Sequence, residues 1–122
     1  MSTRTGRAAA RLPVEIRLAC LADLDALVAL EHAAFATDRA ERRAIRYAIR
    51  SASMTLLVAI IRERAEGGEA EILVGAATME RRRTSRVARL SSLAVAPART
   101  GLRLGRRLLE AAEADARAHG CE

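Results

Sequence analysis

Hydrophobic positions along the chain change period several times, and each change marks an element. Val14, Ile16 and Leu18 alternate with Glu15 and Arg17, the period of a half-buried strand, predicted over 13–19. From Asp23 the period becomes helical. Leu24, Leu27, Val28 and Glu31 share a face, Asp23 and Asp25 suit the positive end, and the helix is predicted to run to Phe35. Thr37-Asp38 offers a new cap, Asp38 and Glu41 stand at capping-box spacing, and Ile45, Ala48 and Ile49 give one apolar face. A second helix is therefore predicted over 39–51. Thr55–Ile61 and Ala70–Met79 are nearly continuous apolar runs joined by Glu66-Gly67-Gly68-Glu69, a hairpin tip between antiparallel strands. A charged turn at Arg81, Arg82 and Arg83 leads to a fourth strand over 87–95, stopped by Pro97. After a Gly101–Gly105 turn, Leu104, Leu108, Leu109, Ala111, Ala112 and Ala116 form an amphipathic helix, with His119 in its last turn and Gly120 as its cap.

The order strand, helix, helix, three strands, helix implies an α+β sheet with helices packed on it. Residues 1–12 read as a flexible basic lead-in and 13–122 as one domain, without internal repeat or low-complexity linker. Of the 122 residues 51% are hydrophobic and 30% charged, a globular balance rather than a disordered one. The net charge is +6, and every basic residue is arginine. Such a surplus suits anionic partners: nucleic acid, an anionic membrane surface or a phosphate-rich cofactor. Cys20 and Cys121 are isolated thiols, and His119 beside Cys121 has no further ligand pair, so neither a zinc site nor a disulfide framework is expected. No apolar run approaches the roughly 20 residues of a membrane span, and a cytoplasmic location is expected.

The chemistry concentrates where the fourth strand turns into the last helix. The first turn of a helix leaves backbone N–H groups unpaired and carries the positive end of the macrodipole, so it accepts a phosphate without any specific side chain. Glycines at 101 and 105 remove side chains that would block its approach. A plain connection would use glycines too. There is no Gly-Lys-Ser/Thr of a P-loop and no Gly-x-Gly-x-x-Gly of a dinucleotide fold, which disfavours those nucleotide classes.

Val95, Pro97, Gly101, Gly105, Leu108 and Leu109 stand in the register of Val-x-Pro, two residues, Arg/Gln-x-x-Gly-x-Gly/Ala and a helix opening on paired leucines. In this the chain resembles the GNAT superfamily of N-acetyltransferases. The run from Arg89 to Pro97 is similar in particular to the ribosomal-protein or protein N-terminal acetyltransferase branch. The resemblance implies a GNAT-like fold over about 13–122: a mixed, mostly antiparallel sheet with helices on both faces and the C-terminal strands missing. It implies acetyl-CoA as co-substrate, no metal, and transfer of the acetyl group to a primary amine, a small molecule or a peptide N-terminus. A bulged fourth strand would offer the backbone groups of Leu93, Ala94 and Val95 to the pantetheine arm. The pyrophosphate would sit on the backbone of Thr100, Gly101, Leu102, Arg103, Leu104, Gly105 and Arg106, with Arg99 or Arg106 adding a side-chain contact. Two positions depart from the hallmark: Thr100 stands in place of Arg or Gln, and Arg103 in place of the middle glycine. A side chain there crowds the pyrophosphate unless its guanidinium pairs with it.

No catalytic base or acid is identified. Some members carry the base on the fourth strand, where this chain has Arg89 followed by Leu90, Ser91 and Ser92. In the branch it resembles, a Glu on the fifth strand and a Tyr on the next helix serve, and both would lie past Glu122. The expectation is an enzyme inactive as these 122 residues, with an uncovered sheet edge prone to self-association. Glu31, Asp38 and Glu80 read as solvated or capping carboxylates, His32 and His119 as ordinary helix residues, and Tyr47 and Phe35 as packing residues. Two alternatives stand beside the enzyme: a non-catalytic GNAT-like remnant, and a basic nucleic-acid module using Arg39–Arg50 and Arg81–Arg89. Aromatic content of 2% removes the stacking platform of single-strand binders, and no recognition helix is evident.

Overall fold

A computed structural model describes residues 13–36, 41–82, 84 and 86–121. The lead-in predicted for 1–12 lies outside them. Its middle layer is a four-stranded sheet in the order β1 (Val14–Leu18), β2 (Met54–Ala65), β3 (Gly68–Arg81), β4 (Ala88–Val95), and every pairing is antiparallel. Helices α1 (Leu24–Ala34) and α2 (Arg42–Arg50) cover one face and α3 (Leu104–Ala118) the other.

This sandwich explains the continuous apolar runs. A central strand between two helical layers buries both of its faces. Along β2, Leu56, Val58 and Ile60 pack toward α1 and α2, while Leu57, Ala59 and Ile61 pack toward α3. The β2–β3 hairpin extends beyond its predicted ends because charged pairs continue the ladder: Arg62 lies opposite Glu71 with an ion pair at 2.8 Å, and Arg64 opposite Glu69. Hydropathy carries no trace of such pairs. The chain reverses at Glu66-Gly67, where Gly67 takes φ of +85°.

The start of α1 is fixed by Asp23 in a way that its expected role at the helix dipole understates. Its carboxylate receives both guanidinium nitrogens of Arg17 at 2.8 and 3.0 Å and the Cys20 N–H at 2.8 Å. The guanidinium hydrogen bond holds the Asp23 pKa down at about 2. One short 3₁₀ turn over Leu21–Asp23 is thereby tied to β1.

Helix α2 begins at Arg42, later than predicted, because Glu41 keeps an extended backbone at the N-cap. Thr37 and Asp38, the expected cap, lie outside the described residues. Ile45 and Ala48 set the buried face, which turns Tyr47 outward at 65% exposure and corrects its expected packing role. Phe35 does pack against that core.

On α3 the buried stripe is Leu104, Leu108, Ala112 and Ala116, and Leu109 sits at its exposed rim. Gly75 lets this helix come close. A Cβ there would lie 2.8 Å from Leu108 Cδ1 and 3.2 Å from the Ala94 carbonyl oxygen. The helix ends as its sequence predicts: Gly120 takes φ of +85°, its N–H donates to the Arg117 carbonyl at 2.9 Å, and the Cys121 N–H donates to Ala116 at 2.9 Å. Arg81, expected in an exposed turn, is instead the last residue of β3. Its guanidinium hydrogen-bonds the buried Thr55 hydroxyl, donates to the Ala52 carbonyl at 3.0 Å and reaches Asp115 of α3 at 3.4 Å. Among the described residues no helix is long and apolar enough to cross a membrane.

Candidate functional site

Among the described residues β4 is an edge strand, and its register decides which backbone groups face outward. The Ala96 N–H donates to the Val74 carbonyl at 2.8 Å. Antiparallel alternation then directs the N–H and C=O of Ala94, opposite Ala76, toward β3. The same groups of Leu93 and Val95 point to the open edge. Of the three residues expected to offer backbone bonds, Leu93 and Val95 are placed to do so, and Ala94 is not. The bulge lies just upstream: Thr78 pairs with Ser92 and Met79 with Leu90, so Ser91 is the extra residue, and its hydroxyl donates to the Thr78 carbonyl at 3.3 Å.

Beyond Pro97 the chain forms a 3₁₀ turn over Pro97–Leu102, which includes Thr100, Gly101 and Leu102. Arg103 follows in the left-handed region at φ 54°, ψ 33° as the N-cap of α3. The turn therefore ends at Leu102, three residues before Gly105, which is inside the first helical turn. The first intrahelical bond is Arg107 N–H to the Arg103 carbonyl at 3.1 Å, and helix geometry leaves the N–H groups of Leu104, Gly105 and Arg106 without intrahelical acceptors. Leu104 anchors this turn at 1% exposure. A Cβ on Gly105 would meet only Leu93 Cδ2 and Val95 Cγ2, both at 3.9 Å, so the helix start lies directly beside the strand edge. The two halves expected to hold an extended arm and a diphosphate are thus contiguous.

The flanking arginines differ. Arg99 is held by Glu63 of β2 at 2.5 Å, away from the role of a free phosphate ligand, while Arg103 and Arg106 are exposed at the helix start.

A cavity of about 210 Å³ opens on the other face of β4, between it, α1 and α2. Leu27, Ile45, Leu56 and Ala76 form its apolar wall, and Glu31, Thr78, Ser91 and Ser92 its polar groups. Glu31 is 7% exposed, which corrects its reading as a solvated or capping residue. Its place on the stripe of Leu24, Leu27 and Leu30 turns it inward. Glu80 is half-buried opposite Arg89 at the far end of the β3–β4 ladder, and Asp38 lies outside the described residues. His119 Nδ1 lies 2.8 Å from the Asp115 carbonyl oxygen at the end of α3. Of the arginines considered for nucleic acid, Arg81 is committed to internal contacts and Arg42 pairs with Asp25 at 2.5 Å.

A model of the acetyltransferase (GNAT) family matches residues 22–122. No curated protein matches the sequence. Among solved structures, the ribosomal-protein-S18-alanine N-acetyltransferase of Escherichia coli superposes with a TM-score of 0.69 at 19% identity, over 88% of this chain and 62% of that one. The GNAT-like decarboxylase GphF in complex with isobutyryl-CoA gives a TM-score of 0.61 at 25% identity, over 82% and 57%. N-acetylglutamate synthase from Neisseria gonorrhoeae, complexed with coenzyme A and N-acetyl-glutamate, gives 0.65 at 22%, over 89% and 24%. The chain thus spans less than two thirds of the length of each of these neighbours.

Proposed function

The chain belongs to the GNAT acetyltransferase family, and from that premise we propose that it binds acetyl-CoA along β4 and at the start of α3 and transfers the acetyl group to a primary amine. The observation that carries this reading is the junction of an open strand edge, at Leu93 and Val95, with a helix N-terminus at Leu104–Arg106. An extended amide-bearing arm adds to an open edge through backbone bonds. A diphosphate is stabilised by the free N–H groups and positive end of a helix. Acetyl-CoA supplies an activated thioester carbonyl. The chain's part is to fix that carbonyl beside the Ser91 bulge and to bring an amine to it in orientation. Two of the solved neighbours carry acyl-CoA or coenzyme A, which supports the ligand class.

The acceptor class proposed is a free amine, with a protein N-terminus among the candidates because of the likeness of Arg89–Pro97 to that branch. Among the described residues no side chain is assigned here as the general base or acid of the transfer. Each positioned group is worth about 10²–10⁴ in rate.

The test is a calorimetric titration of acetyl-CoA into the parent and into Gly105→Glu. A carboxylate at the second helical position complements the dipole, so the helix should keep its stability, yet it occupies the anion's place. Binding to the parent and its loss in the variant are expected; equal affinity in the two would refute this placement.

A further inference from the structure

We propose that the groove between the start of α1 and the outer flank of α2 is a docking surface for an acidic amphipathic helix of a protein partner, held by Arg46 and Arg50 on one wall and Leu21 on the other.

The sequence of α2 is the first ground. Arg42–Arg50 reads Arg-Arg-Ala-Ile-Arg-Tyr-Ala-Ile-Arg, four arginines and no carboxylate. Arg42 and Arg43 stand in the first turn, at the positive end of the macrodipole, and Arg42–Arg46 and Arg46–Arg50 are like-charge pairs at i, i+4. A helix whose arginines served only to face solvent would gain from interleaved glutamates, whereas this one carries repulsion that an incoming anion removes. Pairing within the fold relieves part of it. Arg42 meets Asp25 at 2.5 Å, while among the described residues Arg46 and Arg50 reach no carboxylate.

Placement is the second ground. Ala44 and Ala48 turn one flank of α2 toward the cavity beside β4, and Arg42, Arg46 and Arg50 line the opposite flank, a row about 12 Å long at about 1.5 Å per residue. The groove along this row has a volume of about 460 Å³, and its facing wall is Leu21, Ala22 and Leu24. Leu21 is 49% exposed, so apolar surface lies open opposite the arginines.

Complementarity selects the occupant. Cations one turn apart facing an apolar wall match one surface of a helix, with glutamates at i and i+4 set against Arg46 and Arg50 and leucines at i+3 and i+7 lying on Leu21 and Ala22. A phosphate backbone fits less well. It would leave Leu21 uncovered and bring continuous negative charge past the Asp25 carboxylate, which lines the same groove at 85% exposure. Exposed ion pairs contribute little singly. The leucine contact therefore sets affinity, and the arginines set orientation and choice of partner.

The test is fluorescence anisotropy of a labelled synthetic peptide with glutamates one turn apart beside a leucine stripe, titrated with the 122-residue protein. A scrambled peptide of the same composition and an oligothymidine are its comparisons. The patterned peptide should bind, and the scrambled one should bind about tenfold more weakly. Arg46→Gln combined with Arg50→Gln should lower the affinity of the patterned peptide about tenfold, as should Leu21→Ser. Arg117→Gln, which removes one exposed charge from α3, should leave it unchanged. All these side chains are exposed, and Leu21→Ser carries the test if the arginine variant does not fold by circular dichroism. No binding of the patterned peptide, equal binding of the two peptides, or the same loss in Arg117→Gln overturns the proposal. Tighter binding of oligothymidine, lost in the arginine variant and kept in Leu21→Ser, also overturns it and assigns this face to a phosphate backbone.

Discussion

Arg103 holds the left-handed backbone at the entrance to α3, a conformation that costs a non-glycine residue about 1–2 kcal/mol. The family hallmark has glycine there, and the structure adds a backbone reason to the steric one. After allowing for the larger unfolded-state entropy of glycine, Arg103→Gly is expected to raise stability by about 0.5–1 kcal/mol in urea denaturation. It should also tighten acetyl-CoA binding by opening the helix start. Weaker binding would make the guanidinium a phosphate ligand. Asp23 yields a different prediction. Its folded pKa of about 2 lies below the ordinary 3.8, so its contribution is present above the unfolded value and is lost as pH falls from about 4 to about 2. The loss should be on the order of 2 kcal/mol. Melting curves from pH 5 to pH 2 should show it in the parent and not in Asp23→Asn. Legibility at this scale was uneven. Glu31 was visible on the apolar stripe of Leu24, Leu27 and Val28, but charge alone argued for solvent, and only the packing of α1 against β4 turns it inward.

At the scale of elements, the type and order of all seven main segments follow from periodicity, because a two-faced sheet imposes apolar runs on β2 and β3 and one-sided stripes on the helices. What periodicity misses is decided by contacts across elements. The outer β2–β3 hairpin is carried by Arg62–Glu71 pairing, the start of α2 by the extended Glu41, and the Ser91 bulge by register with β3. The two glycines near α3 separate packing from binding. Gly75→Ala should destabilise by about 1–3 kcal/mol, because Leu108 at 0% exposure has nowhere to move and the Ala94 carbonyl is 3.2 Å away. Gly105→Ala meets only ordinary contacts at 3.9 Å and should fold as the parent does, with helix propensity slightly in its favour. Thermal melts of the pair decide this, and equal destabilisation would contradict the assigned closeness of α3 to the sheet at Gly75.

For the molecule as a whole, the open edge of β4 is both the proposed binding site and a liability. An unpaired edge is a template for another strand, so the 122-residue protein is expected to self-associate in sedimentation velocity, with saturating acetyl-CoA shifting it toward monomer by occupying the same backbone groups. Association insensitive to acetyl-CoA would place the contact elsewhere. The surplus of +6 fits a phosphate-rich ligand equally at the α3 start or on the arginines of α2. Residue-resolved amide shifts in an ¹H–¹⁵N spectrum during acetyl-CoA titration distinguish these places most directly. Shifts concentrated at Leu93, Val95, Leu104, Gly105 and Arg106 are the predicted result. Shifts concentrated on Arg42, Arg43, Arg46 and Arg50 of α2, with β4 unmoved, would contradict the account.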